Sequence, residues 1–485
     1  MNKLDVIKGS DIEAIIDLFK EKERVVTKEE CAKQYDVNSH DVFDPSIRKD
    51  RIINKDVIID GVIQTDENGN PKTTREVVPV TRIGIALEPE IVEQRIGFML
   101  TRPVSYNMVS PKGGAKGKKL IELTEQVMMR NRMDFRNKEV LRRQLSEMEC
   151  ARLWYYIPSS ELGYKFSLRC KIFSPSLGDT LIPLFDDYGD LIAFGRKYKI
   201  KEAKAEIEHF DIYTNEFDYK YALRNSVWAL EPLTDSTGKS IANPTPNIAK
   251  KIMLAYYEQP LPEWHNATSM RRRLETSHSN HADMNDTFGS PILAVTGEVQ
   301  GFAAQGEQGK ILQLEAEAKA NYLQLTTPPQ SILKEQAQLR ELAYSLTNTA
   351  DISFDKVKGI GNLSAVALSL LFVSSTMAAK TKEETFAIGL QRELNIIMAA
   401  IGAGIDTSLE STIPLVMSKP QINVFIPEDV AATMKMLAES KDAHIMSTEA
   451  IVQINPYIND KEKELALLKA ENSLVTNAET PIVAE

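Results

Sequence analysis

The fold class predicted by this 485-residue sequence is α+β. Between residues 163 and 232 the chain consists of short alternating runs separated by turns such as "DDYGD", which predicts antiparallel strands. From residue 263 onward most long segments have the periodicity of helices instead. A β-rich stretch followed by a helical one is typical of an α+β protein.

The composition is that of an ordinary soluble globular protein, with 43% hydrophobic and 26% charged residues. The length suggests roughly two to four domains. Lys and Arg total 58 against 68 Asp and Glu, and the net charge of −10 argues against a tight, general nucleic-acid binder, which needs a basic face. Three scattered cysteines without a CxxC motif favour a reducing compartment, and the acidic N-terminus argues against a secretion signal.

The N-terminal part is predicted to mix helices and strands. Residues 12–19 have helical spacing. The run "DVIIDGVIQ" (56–64) indicates one strand of a hairpin, and "REVVPVTRI" (75–83) indicates the other, joined by the turn at 66–72. The following helix is expected to end ahead of Pro103.

A basic loop and a long helix are predicted before the antiparallel region. "SPKGGAKGKK" (110–119) contains four lysines and is expected to be a flexible loop. The next helix is predicted over residues 120–156, broken near Asn131.

Two helices are predicted on either side of a short excursion. Residues 266–286 are polar on nearly every face, and such a helix usually needs a partner. Residues 328–348 begin with a proline suited to a first helical turn, and their apolar stripe comprises Ile332, Leu339, Leu342 and Leu346. The excursion is predicted to contain a strand, "SPILAVTGEVQ" (290–300), and a short helix, "GKILQLEAEAKANYLQL" (309–325).

A glycine loop and a long helix dominate the C-terminal part. The helix is predicted from about residue 364 to residue 402, with Gly389 as a bend. A strand, "KPQINVFIP" (419–427), and three short helices follow, and the last dozen residues are expected to be disordered.

The glycine loop is a poor match to a nucleotide site. A dinucleotide fingerprint needs a third glycine after Gly359 and Gly361, but Ser364 stands there. A Walker loop fails likewise at "AAQGEQGKI", because Ala304 replaces the first glycine and Ile311 replaces the magnesium-binding hydroxyl. The sequence offers no catalytic constellation, so we expect no enzyme activity and no cofactor.

Two other kinds of site are weighed and disfavoured. His278 and His281, with Glu275 one turn earlier, could form one side of a metal site, but no matching cluster supports it, and no metal is expected. Residues 359–379 lack charge and are long enough to cross a membrane, yet polar residues interrupt them, which favours a helix buried among protein neighbours.

Three adjacent arginines, Arg271, Arg272 and Arg273, lie on the polar helix. On a helix they point across about 200° rather than forming one face. They are candidates for contact with DNA or with acidic residues of a neighbouring subunit, and a solvated helix remains the alternative.

The order of these elements resembles the portal proteins of long-tailed bacteriophages over about residues 88–472. The stretches that carry the resemblance are "IVEQRIGFMLTRPVSYNM", "SPSLGDTLIPLFDDYGDLIAFGRKY", "TADISFDKVKGIGNLSAVALSLLF" and "STEAIVQINPYINDKEKELALLKAE". Residues 1–87 and the unusually polar first helix are less similar to the family.

The resemblance implies a portal-type subunit with a β-rich wing, two stem helices, a small α/β clip, a long bent helix and a helical crown. It divides the chain into a wing at 1–262, a first stem helix at 263–288, a clip at 289–327, a second stem helix at 328–348, a tunnel loop at 349–363, a long bent helix at 364–404, a wing strand at 405–427, crown helices at 428–474 and a disordered tail at 475–485.

The resemblance also implies a function. The subunits would form a dodecameric ring at one capsid vertex, a channel for packaging and ejecting double-stranded DNA, assembled in the host cytoplasm. The DNA-facing tunnel loop would include Lys356, Lys358, Gly359, Gly361 and Asn362. The clip, through Glu315, Glu317 and Lys319, would dock the terminase large subunit and the head–tail adaptor. Further partners would be the major capsid protein and the scaffold, and no membrane.

Two hypotheses from other classes compete with this one. The first is an enzyme that binds a nucleotide at the Gly359/Gly361 loop, which the incomplete motifs disfavour. The second is a membrane-anchored pore that uses residues 359–379, which their polar interruptions disfavour.

Overall fold

The computed structural model confirms the α+β class. It describes residues 3–9, 11–59, 62–67, 69–159, 164–202, 205–234, 238–288, 292–296, 299–301, 313–314, 319–323, 330–351, 370, 372–424, 430–455, 458 and 461–478. The chain forms two compact units. One comprises Met1–Asp351 and Ser374–Phe425, and the other comprises Ile352–Val373 and Ile426–Glu485.

The helices of the first unit lie along its whole length. They are α1 (Lys3–Lys8), α2 (Ile12–Leu18), α3 (Lys28–Tyr35), α4 (Leu87–Leu100), α5 (Gly114–Arg130), α6 (Met133–Glu147), α7 (Thr268–Phe288), α8 (Gln330–Leu346) and, from Ser374 onward, α9 (Val373–Ala400). The predicted helix at 12–19 and the predicted end ahead of Pro103 are confirmed by α2 and α4.

The strands of the first unit fall into several antiparallel sheets. They are β1 (Arg51–Asp56), β2 (Ile58–Ile59), β3 (Val62–Ile63), β4 (Thr73–Val78), β5 (Ser105–Val109), β6 (Glu149–Pro158), β7 (Phe166–Phe173), β8 (Thr180–Phe185), β9 (Leu191–Glu202), β10 (Ala205–Thr214), β11 (Phe217–Arg224), β12 (Val227–Leu230), β13 (Leu233–Thr234), β14 (Ser240–Ile241), β15 (Thr245–Pro246), β16 (Leu254–Glu258), β17 (Ile292–Thr296), β18 (Val299–Gly301), β19 (Gln313–Leu314), β20 (Lys319–Leu323) and β21 (Met417–Gln421).

The strands predicted over residues 163–232 are confirmed: the first, β7, pairs with β6, and the others lie in a six-stranded antiparallel sheet. Its order is β12-β11-β10-β9-β8, and β15 pairs with β11. One face packs against α1 and α2, where Phe19 meets Phe210 edge to face with ring centroids 5.5 Å apart. Gly195 makes this contact possible, because a Cβ there would lie 2.8 Å from the Phe19 ring. The N-terminal helices therefore complete the core of the sheet.

The helix predicted over residues 120–156 is wrong in its last fifth, from residue 149 onward. α5 and α6 form, but Met148 takes a left-handed conformation (φ 65°) and ends α6. Residues 149–158 are β6, which pairs with β7 on one side and β16 on the other. The hydrogen bonds that β6 forms with its two neighbouring strands outweigh the helical pattern of its sequence. The basic loop at 110–119 is also shorter than predicted, because α5 already begins at Gly114.

The N-terminal hairpin differs in register from the prediction. β4 pairs with β1, upstream of the predicted strand, so that Arg51 lies opposite Val78. The run "DVIIDGVIQ" instead folds back on itself as β2 and β3. Every residue of β1 is exposed, so the hairpin has no buried face that could fix the register from sequence alone.

Where residues 309–325 of the excursion are described, the predicted helix is wrong and strands are found. Lys319–Leu323 is strand β20, which pairs with β17 so that Ile292 lies opposite Leu323. Its alanines and the preceding glutamates favour a helix locally, but the backbone hydrogen bonds of an extended partner determine the outcome.

The long helix α9 continues through Ala400 into a π-helical turn at Ile401–Ile405. Gly389 lies inside it as a packing position, because a Cβ there would lie 2.1 Å from the Tyr257 ring. By length and composition, Val373–Ile405 could cross a membrane, with a mean hydropathy of 1.2. Within its most apolar window 61% is buried in the protein, which is typical of a core helix. Most of the weighed segment 359–379 lies outside the described residues.

The second unit confirms the three predicted C-terminal helices. They are α10 (Val430–Asp442), α11 (Thr448–Ile454) and α12 (Lys461–Ala478). Ser447 caps α11 by accepting a hydrogen bond from the Ala450 N–H at 3.2 Å. α12 ends at Ala478, inside the range predicted to be a disordered tail, and residues 479–485 are outside the described part of the chain.

Candidate functional site

The three adjacent arginines of α7 have three different surroundings. Arg271 is 2% exposed, and its guanidinium contacts two carboxylates within the same chain. Its Nε donates to Glu88 Oε1 at 2.7 Å, and its Nη1 donates to Glu275 Oε2 at 2.7 Å. In this subunit Arg271 therefore belongs to a buried ion-pair network.

Arg272 and Arg273 remain on the surface of α7. Arg272 pairs with Asp41 at 3.2 Å, and Arg273 pairs with Glu335 of α8 at 2.8 Å. The fan of about 200° expected for three consecutive helical residues thus sends each side chain to a different neighbour. Contact of these two arginines with DNA or another subunit stays a prediction.

A buried histidine completes the network around Arg271. His40 Nδ1 lies 2.5 Å from Glu275 Oε1, and Nε2 lies 2.8 Å from the carbonyl oxygen of Gln34. Since a carboxylate and a carbonyl can only accept, the imidazole must carry protons on both nitrogens. His40 and Arg271 then balance the charges of Glu88 and Glu275.

The pKa shifts agree with this charge assignment. Burial lowers the pKa of His40, but the hydrogen bonds to Glu275 and Gln34 outweigh it, and the net shift is upward. Burial raises the pKa of Glu275, but His40, the Ile85 N–H and Arg271 lower it by more, so the net shift of this pKa is downward. Burial also raises the pKa of Glu88, and Arg271 only partly offsets this. The network is thus most stable with His40 protonated.

The polar face of α7 is covered by an extended segment of its own chain. Thr81, Ile83 and Ile85 donate their backbone N–H groups to Asp283 (2.8 Å), Ser279 (2.9 Å) and Glu275 (3.0 Å). Two residues of extended chain advance about 6.6 Å and four helical residues about 6 Å, so the spacings match. Residues 81–85 are therefore the partner that the polar helix α7 needs along this face.

The signal for this face is present in the sequence as a polar residue at every fourth position of α7, namely Arg271, Glu275, Ser279 and Asp283. The metal site considered at His278 and His281 needs Glu275 as its third ligand. Glu275 instead forms ion pairs with His40 and Arg271.

The second helix, α8, packs against α7 but leaves apolar surface uncovered. Gln336 donates to Ser277 Oγ at 3.3 Å, next to the Arg273–Glu335 ion pair. Leu342 and Leu346 remain 49% and 44% exposed. Two of the four residues of the predicted apolar stripe are therefore about half exposed among the described residues.

A buried arginine joins the two ends of the segment between α8 and α9. Arg95 of α4 is 3% exposed. Its Nη2 donates to the Thr347 carbonyl at 2.8 Å, at the end of α8, and its Nη1 donates to the Ser375 carbonyl at 3.2 Å, at the start of α9. Ser375 Oγ also donates to the Asn348 carbonyl at 3.0 Å. The end of α8 and the start of α9 are thus held together at one place.

Two further charges hold Arg95 in position. Its Nε donates to Glu263 Oε1 at 2.8 Å, and Lys382 of α9 contacts Glu263 Oε2 at 2.9 Å. We call Arg95, Glu263 and Lys382 the loop-base cluster. Sequence reasoning missed it, because its members are 287 positions apart at the extremes and no local spacing connects them.

The residues predicted to face DNA lie between these two ends. Lys356, Lys358, Gly359, Gly361 and Asn362 are outside the described residues, as are Glu315 and Glu317 of the predicted docking surface. Lys319 begins β20, opposite Thr296.

The long helix is anchored to the sheets by another buried ion pair. Arg152 of β6 donates to Glu393 Oε2 of α9 at 2.7 Å, and Tyr257 of β16 donates to Glu393 Oε1 at 2.6 Å. Burial raises the pKa of Glu393, and Arg152 and Tyr257 act against that rise. This ion pair thereby fixes α9 at Glu393, beyond Lys382 of the loop-base cluster.

Comparison with known proteins gives one family. The sequence matches the family model described as "Phage portal protein, SPP1 Gp6-like" over residues 20–476. No curated protein matches the chain significantly. Among solved structures it is similar to a chain of the "Neck of empty GTA particle computed with C6 symmetry", at 9% identity, with 79% of this chain and 88% of that chain covered and a TM-score of 0.39.

Proposed function

The chain belongs to the phage portal protein family, and from this premise we propose that it forms a ring at one capsid vertex through which double-stranded DNA is packaged and ejected. The observation that carries the proposal is the family match, because it spans residues 20–476 and therefore nearly the whole chain. Membership also assigns the protein to the phage particle as a structural protein.

The ring contact would involve the second stem helix. Leu342 and Leu346 of α8 are about half exposed in the subunit, and both belong to one apolar stripe. In a ring each subunit presents two different surfaces to its two neighbours, so a surface uncovered in one copy can be covered by the next. We assign the neighbouring copy as the cover of this stripe.

The DNA contact would involve the segment held by the loop-base cluster. Its two ends are bonded to Arg95, so the residues between them can extend from the subunit without loosening α8 or α9. Lys356 and Lys358 would contact phosphates weakly, since each neutralised phosphate adds both affinity and resistance to sliding. Gly359 and Gly361 would let the loop bend as the duplex passes.

Docking of the terminase large subunit and the head–tail adaptor is assigned to the excursion at 289–327. The pairing of β17 with β20 supports this, because among the described residues the two strands form a small sheet of their own, separate from the six-stranded sheet. Glu315, Glu317 and Lys319 are the charges we assign to that surface. Major capsid protein and scaffold would contact the wing during assembly in the host cytoplasm.

The test is DNA packaging by capsids assembled with Lys356→Ala/Lys358→Ala subunits. We expect normal rings and capsids that package or retain less DNA. The matched control is Lys49→Ala/Lys201→Ala, which removes two exposed lysines elsewhere and should package normally. Full-length, stably retained genomes in the loop variant would show that these lysines neither guide nor hold DNA.

A further inference from the structure

A histidine and two glutamates meet on the six-stranded sheet, and none of them belongs to α7 or α8. His209 lies on β10, Glu202 ends β9, and Glu231 follows β12. One possible ligand atom from each lies within 4.8 Å of the others. His209 is 2% exposed, and its ring stacks on Tyr198 with centroids 5.2 Å apart. The imidazole is therefore held in one place by packing.

Among the described residues, the two ring nitrogens of His209 are left unsatisfied, because neither has a hydrogen-bond partner. Nδ1 lies 3.4 Å from Glu231 Oε2, which is longer than an ordinary N–H···O bond of about 2.7 to 3.2 Å. A buried polar group without a partner costs free energy, so its presence calls for a ligand.

The separation of 3.4 Å suits two ligands of one metal ion. Zinc binds histidine nitrogen and carboxylate oxygen at about 2.0 to 2.2 Å in a tetrahedron, which places neighbouring ligand atoms about 3.3 Å apart. Glu202 is 42% exposed and can move its carboxylate to complete the set. One imidazole and two carboxylates are donors suited to zinc and similar divalent transition metals.

An arginine now supplies positive charge beside these carboxylates. Arg224 Nη1 and Nη2 lie 3.0 and 3.1 Å from the two oxygens of Glu202, and Nη2 lies 3.7 Å from Glu231. Its side chain is 49% exposed, so it can leave without disturbing the core. A guanidinium only donates hydrogen bonds, and Arg224 leaves both nitrogens of His209 without a partner.

We propose that His209, Glu231 and Glu202 form a binding site for a divalent transition-metal cation of the zinc type, and that Arg224 competes with the cation for Glu202. A bound ion joins β9 and β10 to the chain that leaves β12. It therefore stabilises this part of the sheet, and no catalytic step is assigned to it.

The test is calorimetric titration of the full-length protein with Zn²⁺. We expect one site per subunit in the wild type, weakened at least about tenfold by His209→Phe or by Glu231→Gln, as loss of a ligand requires. Phenylalanine preserves the stacking on Tyr198, so the fold is retained. Arg224→Ala should bind more tightly, and Zn²⁺ should raise the Tm of the wild type but not of His209→Phe.

The matched control is His278→Ala/His281→Ala, which removes a pair of histidines on α7 and should leave the site intact. Absence of one-to-one binding in the wild type overturns the proposal. Binding that is unchanged in His209→Phe, or that disappears in the His278/His281 control, overturns it as well.

Discussion

At the scale of single residues, we expect the replacement of Arg95 to have the clearest effect on local stability. Replacing it by Met removes its bonds to the Thr347 and Ser375 carbonyls and leaves Glu263 with Lys382 alone. We expect amide exchange at residues 347–351 and 372–376 to accelerate at least about tenfold, which corresponds to roughly 1.4 kcal/mol of local stability. Hydrogen-exchange mass spectrometry measures it.

The control for Arg95 is Arg142→Met, which breaks an ion pair with Glu93 that is about half exposed. Such pairs contribute about 0 to 1 kcal/mol, so exchange in the same two segments should not change. Equal exchange in Arg95→Met and wild type would mean that the loop ends are held by something else.

His40 makes stability depend on pH. Its folded-state pKa is raised, so the stability it adds is complete below the unfolded pKa of about 6.5 and is lost as pH rises through the folded value. Between about pH 6 and pH 8.5 we expect the wild type to lose on the order of 1 kcal/mol more than His40→Gln. Urea unfolding at both pH values measures this.

The control for His40 is His281→Gln, which changes a partly buried histidine on α7. Its unfolding free energy should follow pH as the wild type does. A pH dependence in His40→Gln equal to that of the wild type would contradict a protonated imidazole between Glu275 and Gln34.

At the scale of elements, α8 is expected to carry subunit association. Replacing Leu339 and Leu342 by Asp puts two charges into a contact that would exclude water, at a cost of several kcal/mol. Leu342 is already 49% exposed, so the isolated subunit should tolerate the change better than the ring does. Sedimentation should show monomers or small oligomers.

The control for α8 is Lys334→Asp/Gln338→Asp, which introduces two acidic residues at exposed polar positions of the same helix. This variant should sediment as the wild type does. Intact rings from the leucine variant would remove α8 from the subunit contact.

Local signals predicted the elements whose boundaries are local. Asp11 and Ser447 accept hydrogen bonds from the first turns of two predicted helices, α2 and α11, and such caps can be recognised in a sequence. β6 and β20 could not be predicted this way, because their residues are compatible with helices. Their partners lie far along the chain, as in the pairing of Leu153 with Leu254.

The site residues were predictable only in part, for a similar reason. Three arginines in a row indicate a charged helix, but which one is buried depends on Glu88, 183 positions away. The role of Arg95 could not be predicted from the sequence, because there it is one of several charged residues of α4. Its role becomes visible only when the structure places the ends of α8 and α9 beside it.

At the scale of the whole molecule, the family match and the subunit structure lead to the same expectation. The match spans both compact units, and the first unit contains two paired helices, an uncovered apolar stripe and a loop base fixed by buried charge. All three features would be used in a ring of identical copies that surrounds a channel.

The most direct test is electron microscopy of the purified full-length protein. We expect rings of uniform size with a central hole wide enough to admit a DNA duplex, and a dodecamer is the subunit number that the resemblance implies. Rings should persist in Lys356→Ala/Lys358→Ala and be lost in Leu339→Asp/Leu342→Asp. Monomers that stay monomeric with scaffold protein present, or closed particles without a hole, would contradict a portal ring.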